Sequence, residues 1–280
     1  MKIGLIQEKQ NELYQFQKED IRYSMEEAKQ YQKEMLIQNT NQIQEAIKAG
    51  CDLIVTSEAI NFPGQPKKVE GDYTKLIPEL ESDVFKEYAE LARQGNCYLA
   101  VGVYRKEGKV GKTRLYNSVL FYNRKGELCG TYDKVHLAGE EREYLTKGSQ
   151  YCVIETDFGK IGFAICWDMQ FAETCQTLAD MGADLILAPT WGWEWIYGVC
   201  RAYENGVYVA SAMAVPFSMP IEGLRSPSEV ITPEGICLAK GGREGAQVVT
   251  AKLPDIRECA FYREFRKSGR RQFLSPKLSE

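Results

Sequence analysis

Read as a pattern of apolar and polar positions, the chain opens on Lys2-Ile-Gly-Leu-Ile-Gln7, a run too apolar for an edge facing water on both sides. It predicts a strand in the middle of a sheet. From about Tyr23 to Lys48, Met35, Leu36, Ile43 and Ile47 recur at near-helical spacing among Glu, Gln and Lys, with Gly50 following. That predicts a long surface helix with a glycine stop. Asp52-Leu-Ile-Val-Thr56 is again a buried-strand pattern and runs straight into the polar turn Ser57-Glu58-Ala-Ile-Asn-Phe-Pro63-Gly64. Glu58 therefore falls just past the carboxyl end of a strand.

The alternation continues. A helix is expected near Val84–Arg93, a strand over Cys97–Tyr104, hairpin strands around Leu115–Tyr122 and Glu127–Lys134, a strand over Lys160–Cys166, a helix near Ala172–Met181 and a strand over Asp184–Ala188. Later strands are expected at Gly206–Ala212, Glu229–Thr232 and Gln247–Lys252. Strands and helices mixed with hairpins indicate an α/β layered fold with mixed sheets. No linker and no break in composition divides the chain, so residues 1–280 read as a single domain. The polar stretch from Glu8 to Glu34 is either an ordered insertion or in part a mobile loop.

Composition narrows the function classes. The 280 residues are 44% hydrophobic and 26% charged, close to globular averages, and can build a sizeable core. The mean hydropathy is −0.37 and the pI near 5.4. A net charge of −4 leaves no positive field to hold a polyanion, so nucleic acid is not expected as a partner. No apolar run approaches the roughly 18 residues that span a bilayer, and the start turns polar at Gln7 before a signal-peptide core can form, so no membrane association or export is expected. The nine cysteines are odd in number, scattered, and include no C-x-x-C pair, which suits reduced thiols in a cytoplasmic protein. With one histidine, His136, and no paired cysteine spacing, neither a metal site nor a cofactor is expected.

Three chemistry-bearing residues fall at strand ends: Glu58, Lys134 in Tyr132-Asp-Lys-Val-His-Leu137, and Cys166 in Gly162-Phe-Ala-Ile-Cys-Trp-Asp168. The crevice at the carboxyl ends of strands is where open α/β sheets bind ligands. A cysteine leaving a strand for a helix start also meets backbone N–H groups that stabilise a thiolate. Taken singly, the cysteine reads as a small core hydrophobe and the two charges as solvated surface groups.

Together they carry more. Leu53-Ile-Val-Thr-Ser-Glu58 with Phe62-Pro63-Gly64, then the Lys134 segment, then the Cys166 segment with Phe171-Ala-Glu173, resemble in order the motifs of the nitrilase superfamily of carbon–nitrogen hydrolases. Gly182 to Thr190 with Trp191, Arg201-Ala202-Tyr-Glu204-Asn205 and Ser228 to Gly235 extend the resemblance over nearly the whole chain. The resemblance implies an α-β-β-α sandwich, four layers deep, that associates through its helical layer into a homodimer or higher oligomer. It implies hydrolysis of a non-peptide, amide-type carbon–nitrogen bond of a small-molecule substrate, with Glu58 as base, Lys134 as cation and Cys166 as nucleophile forming a thioester. A second glutamate is assigned to Glu141 by its distance from Gly148, with Glu140 and Glu143 competing for the place.

Attack on an amide carbon needs a thiolate, a base that takes its proton and returns it to the departing amine, and donors for the developing oxyanion. Cys166, Glu58 and Lys134 supply these, with the backbone N–H of Trp167 as the expected second oxyanion donor. Trp191, from the cluster Trp191-Gly-Trp193-Glu-Trp195, is expected to line the substrate pocket. Met169 and Gln170 stand where some relatives that take N-carbamoyl amino acids carry arginines, so a neutral acyl group is expected. Arg201 reads as a structural ion-pair partner and His136 as a structural histidine. Gly108-Lys-Val-Gly-Lys-Thr113 resembles a phosphate loop but has Lys106 where the motif's first glycine belongs and precedes a hairpin, so it is set aside. The alternatives are a nitrilase or N-carbamoyl amine hydrolase using the same triad, and a catalytically silent binding protein on the same fold.

Overall fold

β1 (Lys2–Lys9) organises the first sheet: it pairs in parallel with β2 (Leu53–Val55) on one side and antiparallel with β12 (Gln247–Lys252) on the other. The computed structural model describes residues 1–9, 21–108, 113–192, 195–215 and 226–274. β2 continues in parallel to β3 (Tyr98–Glu107), which forms antiparallel ladders outward through β4 (Arg114–Tyr122) to β5 (Leu128–Asp133). The second sheet runs from the hairpin β6 (Val153–Thr156) and β7 (Gly159–Phe163) through parallel β8 (Leu185–Thr190) and β9 (Tyr208–Val215) to antiparallel β10 (Glu229–Ile231) and β11 (Cys237–Lys240). The sheets join where β1 meets β9, at Glu8 opposite Ala214 and Lys9 opposite Val215.

The period-2 alternation of the strands makes the layers. Ile3, Leu5, Leu53 and Val55 of the first sheet pack against Ile161, Phe163, Leu185 and Leu187 of the second in a shared core. The opposite face of the first sheet, with Ile6, Ile54, Leu99 and Val101, is covered by α1 (Met25–Lys48) and α2 (Asp83–Gly95) through Ile43, Ala46, Phe85 and Leu91. α3 (Ala172–Asp180) and α4 (Trp195–Asn205) cover the second sheet, with Leu178 and Ala202 against Ile186 and Val209. The order is helix, sheet, sheet, helix, the sandwich the resemblance implies. α1 starts where Ser24 and Glu27 cap each other's backbone N–H groups, at 3.2 and 2.9 Å. Its end crosses β1 so closely that a Cβ on Gly4 would lie 2.9 Å from Cys51 Sγ.

Several expectations need correction. The strand expected to reach Cys166 ends at Phe163, because the chain leaves the ladder two residues before the cysteine. β6, β11, α4 and α5 (Ala260–Leu274) are additional to the elements expected. α4 begins in the tryptophan-rich segment, and α5 is held by Arg263, which donates to Asp184 at 2.5 Å. Of the polar stretch 8–34, Glu8 and Lys9 complete β1 and residues 25–34 belong to α1, while 10–20 lie outside the described residues. Thr113 and Gly108 flank 109–112, also outside them. All nine cysteines are free thiols. No helix among the described residues is long and apolar enough to cross a membrane.

Candidate active site

The carboxyl ends of β2, β5, β7 and β8 converge, because β2 and β5 run the same way within one sheet and β7 and β8 within the other. Glu58 is carried by a turn at the end of β2 that is tied to β3. Thr56 N–H donates to Ala100 O at 3.0 Å, Ile60 N–H to Gly102 O at 2.9 Å, and Gly102 N–H to Thr56 Oγ1 at 2.9 Å. Any side chain at residue 102 would collide with the Ser57 carbonyl oxygen, so the approach requires glycine there. Ala59 takes φ 53°, a left-handed conformation that costs a non-glycine residue about 1 kcal/mol or more. The reversal buries the Glu58 side chain.

Lys134 follows β5, whose alternation turns Tyr132 and Lys134 inward while Asp133 faces Arg105. The chain then makes an excursion from Lys134 to Gly148 and closes it with Gly148 N–H donating to Lys134 O at 2.7 Å. On the way it presents Glu141. The ammonium of Lys134 sits between two carboxylates, 2.8 Å from Glu58 Oε1 and 2.9 Å from Glu141. Glu140 and Glu143 point outward to Lys67 at 3.5 and 2.9 Å, so the place beside the lysine belongs to Glu141. Asn117 of β4, not among the expected site residues, donates its side-chain amide to Glu58 at 2.7 Å and to Glu141 at 3.3 Å.

Cys166 opens a short 3-10 turn, Cys166–Gln170, and holds φ 43°. Asp168 fixes this turn: its buried carboxylate accepts from Ile165 N–H at 2.8 Å, Tyr132 O–H at 2.7 Å and His136 N–H at 2.8 Å. The nucleophile's turn is thereby anchored to the strand and loop that carry Lys134. The thiol lies 3.8 Å from Gly192 O and near the N–H of Trp191 and the hydroxyl of Thr190. Trp191 binds Glu58 twice, from its backbone N–H to Oε2 at 3.1 Å and from its indole N–H to the Glu58 carbonyl at 2.9 Å. Its ring thus holds the backbone of Glu58, while its own backbone N–H holds the carboxylate. Trp167 is 37% exposed, and its N–H belongs to the first positions of the turn, where no carbonyl of the turn can accept it.

The electrostatics revise one expectation. Burial, with the nearby charge of Glu58, pushes the Cys166 thiol up to about 12, against the opposing pull of Lys134, so the resting group is a thiol and not a standing thiolate. A five-residue 3-10 turn offers too weak a dipole to reverse that desolvation. Burial also raises Glu58, and Lys134 opposes it, leaving a carboxylate that is a stronger base than an exposed glutamate. Burial would pull Lys134 down, but Glu58 and Glu141 outweigh it and hold the ammonium well above its ordinary value. The site therefore pairs a neutral thiol with a basic carboxylate and a permanent cation.

His136 is held by structure, stacked on Phe171 at 4.1 Å with Nε2 3.0 Å from the Tyr151 hydroxyl. Arg201 pairs with Glu204 at 2.8 Å and donates to the carbonyls of Met169 and Gln170, leaving it committed to the fold. Arg225, Trp193 and the Trp195 side chain lie outside the described residues. Among those described, no group of three His, Cys, Asp or Glu side chains has the arrangement of a metal site.

The chain is 33% identical over 186 residues to a probable nitrilase of Schizosaccharomyces pombe, covering 63% of this chain and 67% of the relative. It is 30% identical over 237 residues to the human omega-amidase, covering 77% and 83%. Its fold matches an amidase from Nesterenkonia sp. AN1 with TM-score 0.73 at 22% identity, over 98% of this chain and 99% of that one. It matches a carbon-nitrogen hydrolase from Helicobacter pylori G27 with TM-score 0.75 at 18% identity, over 99% and 95%. The family model for carbon-nitrogen hydrolases matches residues 5–261, and the chain belongs to that family of enzymes acting on carbon–nitrogen bonds other than peptide bonds.

Proposed function

We propose that this enzyme is an amidase that hydrolyses a neutral small-molecule amide through a thioester at Cys166. The observation that carries the reading is the Lys134 ammonium held between Glu58 and Glu141, in the electrostatic range of the partly buried Cys166 thiol. Glu58 takes the Sγ proton as the sulfur attacks the carbonyl carbon, so a thiolate forms only as it is consumed. The oxyanion of the tetrahedral adduct is met by Lys134 and the Trp167 N–H. Glu58 returns the proton to the nitrogen, the carbon–nitrogen bond breaks, and ammonia or an amine leaves. Glu58 then deprotonates a water that attacks the thioester, giving the acid and restoring the thiol. Glu141 orients Lys134 and, with Asn117, keeps the base in place.

A neutral acyl group is favoured because Arg201, beside the turn of Cys166, is already committed, and Gln170 offers a neutral amide whose Oε1 accepts from Tyr197 at 2.5 Å. A buried carboxylate without a partner costs several kcal/mol. Ammonia release from matched amides, nitriles and ureido compounds tests the reading. Turnover of nitriles or N-carbamoyl amines alone would replace amidase with one of those activities, and no turnover with any would leave the silent binding protein.

We further infer a homodimer or larger assembly through the helical layer, supported by exposed Tyr203 of α4 and Phe261 and Phe265 of α5. A sedimentation measurement giving a monomer at micromolar concentration would remove it. Nine free thiols favour a reducing compartment, and the acidic surface favours neither nucleic acid nor an anionic membrane as partner.

A further inference from the structure

Glu8 takes no part in the chemistry above, yet it is only 3% exposed. It stands at the carboxyl end of β1, on the rung where the two sheets join. One carboxylate oxygen accepts from the hydroxyl of Ser57, the residue immediately before Glu58, and the other accepts from the side-chain amide of Asn39 in α1. Asn39 is itself fixed by a second bond from its amide to the Met35 carbonyl at 2.9 Å. Both partners donate, the arrangement an ionised Glu8 requires, while the Asn39 side-chain oxygen is buried without a partner among the described residues.

We propose that Glu8 is a positioning residue for Glu58, acting through the Ser57 hydroxyl; the inference rests on the reading of Glu58 as the base of an amidase. The turn that carries Glu58 is tied to β3 through Thr56 and Ile60, and to Trp191 through Glu58 itself. The Ser57 contact is its side-chain tether to β1 and, through Asn39, to α1. With Glu8 ionised, that tether is a charge-assisted hydrogen bond, roughly twice as strong as a neutral one. Protonation removes the charge that strengthens this bond, and a proton on the oxygen facing Ser57 also turns its hydroxyl from donor to acceptor, so the hold on the next residue, the base, weakens.

The surroundings set where this happens. Burial pushes Glu8 up to about 7, with the bonds from Ser57 and Asn39 pulling the other way. From α1 it faces neutral Asn39 and Gln42, the latter donating to Gln7 O at 2.9 Å. The turn presents Ser57, and β9 presents Ala214 and Val215. α2 presents Tyr88, a buried phenol whose proton the charge of Glu8 holds more tightly. Lys9, next along β1, is exposed, and no ion pair to Glu8 forms among the described residues. The switch therefore falls near neutral pH, where the enzyme would gain activity as Glu8 ionises.

The test compares wild type with Glu8→Gln and Ser57→Ala on one neutral primary amide from about pH 5.5 to about pH 8.5, a range that spans the titration. The expected ratio of wild-type to Glu8→Gln kcat is near one at the acid end and roughly tenfold at the alkaline end, with KM little changed. Ser57→Ala should show the same pH-dependent ratio, and adding Glu8→Gln to it should cost nothing more. Should Glu8→Gln fail to fold, Ser57→Ala carries the test. Alkylation of Cys166 by iodoacetamide, which needs Glu58 but no turnover, should show the same pattern. Ratios that stay constant across the range, or losses that add, overturn the role of Glu8. A wild-type chain that is alkylated at Cys166 but hydrolyses no amide overturns the amidase reading while the alkylation ratios still judge Glu8.

Discussion

Glu58 and Trp191 are joined by two hydrogen bonds, backbone N–H to carboxylate at 3.1 Å and indole N–H to carbonyl at 2.9 Å, which tie the end of β2 to the end of β8. The base from one sheet is thus aligned by the strand neighbouring the nucleophile's own in the other. Trp191→Phe keeps the aromatic volume and deletes the second bond. It should lower kcat by about fivefold to tenfold, the scale of one buried hydrogen bond, with KM nearly unchanged. Steady-state kinetics on a neutral amide check this, and a change confined to KM would instead make Trp191 a substrate contact.

Removing the charges should cost more. Glu58→Gln abolishes the base and Lys134→Ala the cation, so each should lower kcat by at least ~10². Glu141→Gln keeps a hydrogen-bond acceptor beside Lys134 and should cost less than either. Rate constants for the three variants on one substrate give the ranking, and near wild-type turnover by Glu58→Gln would mean the base is elsewhere.

The thiol should be protonated at rest. With Cys166 pushed up to about 12, the ultraviolet thiolate absorbance of wild type minus Cys166→Ala should be close to zero at neutral pH. A full thiolate difference at pH 7 would show a standing thiolate and contradict this.

Glu8 links activity to stability with opposite signs. Its folded value near 7 lies above the ordinary 4.5, so between those pH values the folded chain holds more protons than the unfolded one and stability falls as pH rises. At 1.36 kcal/mol per pH unit this amounts to about 3 kcal/mol, fully present below about pH 4.5 and lost above about pH 7. Glu8→Gln should flatten that fall and raise the melting temperature relative to wild type at alkaline pH. Thermal unfolding across the range reads it, and an equal slope in both proteins would show that Glu8 does not titrate there.

The strand-end positions of Glu58, Lys134 and Cys166 were legible because short apolar runs ending in polar turns are local patterns. So were the main layers, including a central β1. Asn117 and Asp168 were not singled out, since their roles depend on partners brought from 59 and 36 residues away. A polar residue on the inward face of an apolar strand, as Asn117 is in Leu115-Tyr-Asn-Ser-Val119, is the signal that was there to find. The strand expected to reach Cys166 was too long because Ala164 and Ile165 remain apolar and buried after leaving the ladder. The burial that pushes the Cys166 thiol up is not revealed by composition along the chain. Glu8 looked like the start of a polar stretch, and only the joining of β1 to β9 makes it an interior acid.

The central claim is that the sulfur of Cys166 is the attacking atom, and the most direct measurement is kcat/KM of Cys166→Ala on an amide that the wild type hydrolyses. The account predicts no turnover above background from a variant that unfolds like wild type, because the substitution removes one partly buried sulfur and leaves Glu58, Lys134 and Glu141 in place. Hydrolysis by Cys166→Ala at even a tenth of the wild-type rate would contradict it.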